Sequence, residues 1–89
     1  SKSKLSNSKK IIVGKDGTFY ILDRSILKSV QIFTAQGSYK NGITSDAVSE
    51  LIYSKAEIID FDVKDNKIYL LLKNYKGILV FSNDTKYLK

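Results

Sequence analysis

Short β-forming runs alternate with turn-forming residues along most of this chain, and this rhythm constrains the fold more than any other feature. From Lys9 onward, apolar runs recur every 8–12 residues or so, separated by segments rich in Gly, Asn, Asp and Ser. Helices need longer runs with a 3.6-residue period, and no long segment has one. The pattern predicts an all-β fold, an antiparallel meander of about six to eight short strands. A small β-sandwich or barrel built from the same strands is the alternative.

The turn signals place the individual strands. Asp16-Gly17 lies between two apolar runs, and both residues tolerate the positive φ that a type I′ hairpin turn requires. Other turns are expected at 23–25, 64–66, 74–77 and 82–84, and the polar segment 34–45 is expected to form a loop. Strands are therefore predicted at 9–13, 18–23, 26–33, 56–63, 67–73, 78–81 and 85–89.

Two of these strands are apolar on both faces. In the run 68–72, Ile68, Leu70 and Leu72 share one face, while Tyr69 and Leu71 share the other. The run ILVF at 78–81 has the same character. A strand that is apolar on both faces needs a packing layer on each side. If the strands form propeller-like blades, we expect the chain to pack against other copies of itself or against a further protein, whereas a β-sandwich that closes on itself would cover the same strands without a partner.

Strict alternation in the run 56–63 assigns its faces. Ile59, Phe61 and Val63 are expected to point one way, and Asp60 and Asp62 the other way together with Ile58. The acidic residues do not have the spacing of a calcium-binding loop, because that loop needs a Gly at position 6 and a Glu at position 12. They are interpreted as a solvated strand face.

The positive charge is concentrated at the N-terminus. The chain has 15 Lys and Arg against nine Asp and Glu, and four of those Lys lie in the first ten residues, which contain no acid. Residues 1–8 are therefore interpreted as a flexible basic tail. Residues 9–89 are interpreted as a single β domain with two repeat-like units, at about 9–54 and 56–89.

Composition excludes several kinds of chemistry. The chain has neither Cys nor His, so it cannot form disulfides, thiolate metal sites or a Ser-His-Asp triad. We expect no enzymatic activity and no cofactor. The longest apolar run has five residues, IYLLL at 68–72, against the roughly 20 that a membrane-spanning helix needs, so no such helix is expected.

An internal repeat relates the two halves of the chain. The segments Asp16–Asp23 (DGTFYILD) and Asp65–Leu71 (DNKIYLL) share a turn with Asp, an apolar residue, a Tyr and an apolar pair, and their tyrosines, Tyr20 and Tyr69, lie 49 residues apart. The chain resembles β-propeller repeats of the WD-repeat-like and quinoprotein-like kinds, and about two blades would span residues 9–89. The His and Trp-Asp signatures of true WD repeats are absent.

The segment 46–55 (DAVSELIYSK) is compatible with two structures. As a helix it would place Val48, Leu51 and Ile52 on one stripe, with Ser45 or Asp46 as a cap. A four-stranded blade, however, requires a fourth strand in the first unit. We therefore favour a strand near residues 47–54.

The resemblance implies a non-enzymatic binding or scaffold module that mediates protein–protein interaction or self-assembly. Its partner-binding candidates are Tyr39, Lys40, Tyr75 and Lys76, because Tyr39 and Tyr75 are expected to be exposed in loops and each is followed by a Lys. The alternative is a small basic domain that binds nucleic acid through Tyr/Lys pairs and an N-terminal arm carrying Lys2, Lys4, Lys9 and Lys10.

Overall fold

The computed structural model describes residues 8–25 and 29–89, which form seven strands and one helix. In chain order these are β1 (Ser8–Val13), β2 (Phe19–Asp23), β3 (Ser29–Phe33), β4 (Tyr39–Thr44), α1 (Ser45–Ile52), β5 (Ile58–Lys64), β6 (Lys67–Leu72) and β7 (Ile78–Ser82). The antiparallel all-β meander is confirmed. The predicted tail lies outside the described residues, except for Ser8, which begins β1.

The strands form two antiparallel sheets, each in sequential order. Sheet 1 consists of β1 to β4, and sheet 2 consists of β5 to β7. Each described strand pairs only with strands of its own sheet, so the described residues form no closed barrel, and the barrel alternative is wrong.

One hydrophobic core lies between the two sheets. From sheet 1 it takes Tyr20, Leu22, Val30, Ile32 and Ile43, and from sheet 2 it takes Ile58, Phe61, Ile68, Leu70, Leu72, Leu79 and Phe81. Alternate residues of β2, β3, β6 and β7 supply these side chains, as the period of a strand requires. The two sheets therefore pack face to face.

Residues 45–52 form a helix, so the expectation of a strand in this segment is wrong. The Thr44 hydroxyl caps the helix by accepting a hydrogen bond from the Ala47 N–H at 3.0 Å. Val48 is buried in the core and Ile52 packs against it, whereas Leu51, which was expected on the same stripe, is 37% exposed. The Thr44 cap and the burial of Val48 stabilise a helix here, so the strand that the repeat predicted does not form.

The fourth strand of sheet 1 lies in the segment that was expected to be a loop. β4 pairs with β3 from Thr44 opposite Ser29 to Tyr39 opposite Phe33. As an edge strand it buries only Ile43 fully. An edge strand needs little apolar sequence, which is why the pattern Tyr-Lys-Asn-Gly-Ile-Thr gave no strand signal.

A β-bulge changes the predicted face of Ile58. The register of β5 against β6 shifts between Ile58 and Asp60. The extra residue lets both Ile58 and Phe61 reach the core, although they are separated by an odd number of positions. The prediction was wrong for Ile58, whereas Phe61 and Val63 do lie opposite Asp60 and Asp62.

The type I′ turn occurs in the β5–β6 hairpin rather than in the β1–β2 hairpin, where it was expected. Asp65 and Asn66 have φ of 53° and 62° and connect the paired residues Lys64 and Lys67. The first hairpin has a longer loop, from Gly14 to Thr18, in which Gly17 has a φ of 88°. There the Asp16 carboxylate accepts a hydrogen bond from the Thr18 N–H at 3.0 Å, which lowers the pKa of Asp16.

Candidate functional site

The outer face of sheet 1, which points away from sheet 2, is apolar along β1 and β2, whereas β3 places the polar residues Ser29 and Gln31 on it. It presents Ile11 and Val13 of β1 beside Ile21 and Phe19 of β2, and these residues are direct cross-strand neighbours. Ile11 is 61% exposed and Val13 is 57% exposed, which is unusual for adjacent apolar side chains on one strand face. On β3 the same face holds Phe33, which pairs with Phe19 but is only 5% exposed, because Tyr39 packs against it.

The outer face of sheet 2 is apolar along β6 and β7 and acidic along β5. Leu71 of β6 and Ile78 of β7 form a cross-strand pair and are 40% and 51% exposed. Tyr69 and Val80 form the neighbouring pair on the same face, and Asp60 and Asp62 lie beside them on β5. The predicted faces of 68–72 are confirmed, because Ile68, Leu70 and Leu72 are buried in the core.

Two hairpins in the two sheets have the same aromatic pair. In sheet 1, Phe33 and Tyr39 lie opposite each other, with ring centroids 5.7 Å apart in an edge-to-face arrangement. In sheet 2, Phe81 and Tyr87 do the same at 5.5 Å. The two residues of each pair are six positions apart, and each pair stabilises its hairpin through aromatic packing. Tyr87 therefore occupies in sheet 2 the place that Tyr39 has in sheet 1.

The turns of these hairpins repeat the same hydrogen bonds. In the first turn, Thr34 N–H donates to the Ser38 carbonyl at 2.8 Å, and Ser38 N–H donates to the Thr34 hydroxyl at 3.1 Å. In the second, Ser82 and Lys86 exchange the same two bonds at 2.8 and 3.2 Å. A residue with positive φ precedes the last partner in both turns, Gly37 at 89° and Thr85 at 66°.

The C-terminal segment continues sheet 2 beside β7. Val80 N–H donates to the Lys89 carbonyl at 2.6 Å, and Leu88 N–H donates to the Val80 carbonyl at 2.7 Å. This segment takes the position next to β7 that β4 takes next to β3. The expected strand at 85–89 is therefore present only as an isolated bridge, at Tyr87.

Lys10 connects the two sheets at one edge. Its ammonium donates to the Asp60 carboxylate at 2.9 Å and to the Phe61 carbonyl at 2.7 Å. The same ammonium lies 5.5 Å from the centre of the Phe61 ring. The hydrogen bond from Lys10 lowers the pKa of Asp60, because it stabilises the ionised carboxylate.

The four predicted partner-binding residues do not form one cluster. Tyr39 begins β4 and is half-buried against Phe33, and Lys40 follows it on the surface. Tyr75 and the exposed Lys76 lie in the turn between β6 and β7, at the opposite end of the strands. Tyr75 lines a groove of about 360 Å³. Residues that share this groove with Tyr75 include Ile52, Leu72 and Lys73.

The lysines of the nucleic-acid alternative have different positions. Lys2 and Lys4 lie outside the described residues, and Lys9 lies within β1. Lys10 is engaged by Asp60 and Phe61, as described above.

Sequence reasoning missed the most exposed part of this surface, Ile11 and Val13. The signal was present, because KKIIV places apolar residues on both faces of β1 in the same way as the run 68–72 does.

A second groove, of about 520 Å³, lies between the turn after β1 and the turn after β5. Its lining includes Lys15, Asp16, Lys64 and Asp65, so charged side chains of both signs surround it. Within the described ranges, no group of three or more acidic side chains is placed to hold a metal ion. Among the same residues, no helix has the length and apolar character needed to cross a membrane.

No protein-family model, curated protein or solved structure matches the chain. The two exposed sheet faces and their relation to each other are therefore the features that bear on function.

Proposed function

We propose that this chain is a non-enzymatic binding or scaffold module that joins other proteins, or further copies of itself, through propeller-like β repeats. The observation that carries this proposal is the pair of apolar outer faces, one with Ile11 and Val13 and the other with Leu71 and Ile78. Contiguous apolar surface of this kind is costly to leave in water and commonly marks an interaction site.

The matching hairpins support the propeller-like part of the proposal. Four antiparallel segments in sequential order occur in each half, β1 to β4 in the first and β5 to β7 plus the C-terminal segment in the second. Each half ends in the same Phe–Tyr hairpin. Consecutive four-stranded meanders packed face to face are the arrangement of neighbouring propeller blades, and a two-layer sandwich shares the face-to-face packing.

The ionisable groups support a non-catalytic role. Where the pKa of a carboxyl group is lowered, a structural contact explains the shift: a turn hydrogen bond for Asp16 and the link to Lys10 for Asp60. Burial raises the pKa of the Tyr20 phenol, whose side chain is fully enclosed in the core. None of these shifts requires a reaction to explain it.

An immobilised-chain binding experiment tests the proposed function. The wild-type chain and a face variant, Ile11→Lys/Ile78→Lys, are presented with a cell extract and with the purified chain itself. We expect the wild type to retain a specific protein or its own copies, and the face variant to lose that retention. If the wild type retains nothing beyond what the variant retains, the proposed function is wrong.

A nucleic-acid-binding domain remains the second proposal, carried by the lysines of the first ten residues. It is less well supported, because Lys10 already neutralises Asp60 and so contributes less to a phosphate-binding surface. It predicts binding to single-stranded DNA or RNA that falls steeply with salt and weakens when residues 1–8 are removed.

A further inference from the structure

Equivalent residues of the two sheets point in the same direction along the molecule. Leu22 pairs with Val30 in sheet 1, as Leu71 pairs with Ile78 in sheet 2. Leu22 and Val30 face sheet 2 and are 2% and 0% exposed, whereas Leu71 and Ile78 face away from sheet 1. A sandwich with two-fold symmetry would turn both pairs toward the shared core. Parallel orientation is instead the property of repeats stacked head to tail.

The other face of each sheet shows the same equivalence in direction. Ile11 pairs with Ile21 in sheet 1, as Phe61 pairs with Leu70 in sheet 2. Phe61 and Leu70 face sheet 1 and are buried, whereas Ile11 and Ile21 face away from sheet 2. Each apolar face that the fold buries thus has an equivalent apolar face that the fold leaves open.

We infer that a second copy of the chain covers these open faces, with the outer face of sheet 2 of one copy packed on the outer face of sheet 1 of the next. This contact would repeat between copies the packing that sheets 1 and 2 have within one copy. It rests on the proposed function and names its partner. Because the two surfaces differ, the contact is heterologous and builds a closed ring or an open chain of copies.

The charges at the sheet edge fit this order. Within one copy, Lys10 of sheet 1 contacts Asp60 of sheet 2 at 2.9 Å. Lys10 and Asp60 also occupy equivalent positions in the two sheets, one residue before Ile11 and Phe61. Head-to-tail stacking therefore brings Asp60 of one copy toward Lys10 of the next, so that opposite charges alternate along the assembly. If two copies packed through the same face instead, like charges of the two copies would meet and the alternation of Lys10 and Asp60 would be lost.

Two variants, each blocked on one face, test the direction of the contact. Ile11→Lys/Val13→Lys blocks sheet 1, and Leu71→Lys/Ile78→Lys blocks sheet 2. All four side chains are substantially exposed, so the fold of one copy should tolerate the changes. The control, Ala47→Lys/Leu51→Lys, adds the same charge at exposed positions of α1. Neutral Thr replacements at the same four positions serve if a Lys variant fails to fold, as judged by circular dichroism.

Sedimentation velocity gives the outcome. We expect the wild type and the control to self-associate, and each blocked variant alone to be monomeric. An equimolar mixture of the two blocked variants should form a dimer of one copy of each, because each supplies the face that the other lacks. Loss of one buried apolar side chain should weaken association by about tenfold or more.

Three results would overturn the inference. A homodimer of either blocked variant would show that copies pair through the same face. A mixture that stays monomeric beside an associating wild type would show that other residues make the contact. A monomeric wild type would show that no second copy covers these faces, and retention of a different protein by the immobilised chain would then leave the proposed function standing.

Discussion

Truncating two equivalent leucines should have very different consequences. Leu22 and Leu71 hold the same position in their sheets, but Leu22 is 2% exposed and Leu71 is 40% exposed. We compare Leu22→Ala with Leu71→Ala in the full chain. The comparison isolates burial, because the residue, the strand context and the replacement are the same.

The structure sets the expected magnitudes. Leu22 is enclosed between the sheets, so its truncation removes buried apolar surface and leaves a cavity, which costs about 2–5 kcal/mol in the free energy of unfolding. Full burial of a leucine side chain is worth roughly 1.5–3 kcal/mol, and Leu71 has only part of that burial. Water fills the space that Leu71 leaves, so no closed cavity forms. We expect Leu71→Ala to cost about 1 kcal/mol in the monomer.

Urea unfolding at several protein concentrations measures both losses. The loss for Leu22→Ala should be the same at every concentration. The loss for Leu71→Ala should grow with concentration, because association stabilises the folded state and Leu71 lies in the contact. Equal losses for the two variants at the lowest concentration would refute the assignment of Leu71 to an open face. A Leu71→Ala loss that is independent of concentration would refute its place in an interface.

Three further substitutions test the repeat and the link between the sheets. Thr85→Gly should stabilise the chain by about 0.5–1 kcal/mol in thermal unfolding, because the left-handed backbone costs a β-branched residue more than it costs Gly. Gly37→Thr at the equivalent position should destabilise the chain for the same reason. A loss of stability in Thr85→Gly would contradict the equivalence of the two turns. Asp60→Asn should cost about 0.2–1 kcal/mol at neutral pH, as expected for a partly exposed ion pair. Because the folded pKa of Asp60 is lowered, this difference should be complete above the ordinary value of 3.8 and should vanish as pH falls through the lowered pKa. Urea unfolding at a series of pH values measures it, and a difference that persists in strong acid would contradict the link to Lys10.

The fold class was predictable because hydrophobic alternation depends on the sequence alone. The core faces of β6 and the turn at Asp65-Asn66 follow directly from the pattern of residues. The predictions were wrong where contacts between distant parts of the chain determine the structure, as at β4 and at the bulge in β5. β4 needs one buried residue and pairs mainly through its backbone, and the bulge in β5 moves Ile58 to the core without any signal in composition.

The candidate surface was only half predictable. The open face of sheet 2 follows from strands that are apolar on both sides, 68–72 and 78–81. The open face of sheet 1 depends on which side of β1 faces sheet 2, and pairing decides that. The equivalence of the Phe33 and Phe81 hairpins needed coordinates, because their turns share hydrogen bonds but few residues.

The solution mass of the wild-type chain, measured by light scattering over a range of concentrations, tests the central claim most directly. If the two apolar faces are the open ends of a stack of sheets, the mass should exceed that of one chain and should rise with concentration toward a fixed multiple or an open series. A mass equal to one chain at high micromolar concentration would contradict association of this chain with its own copies.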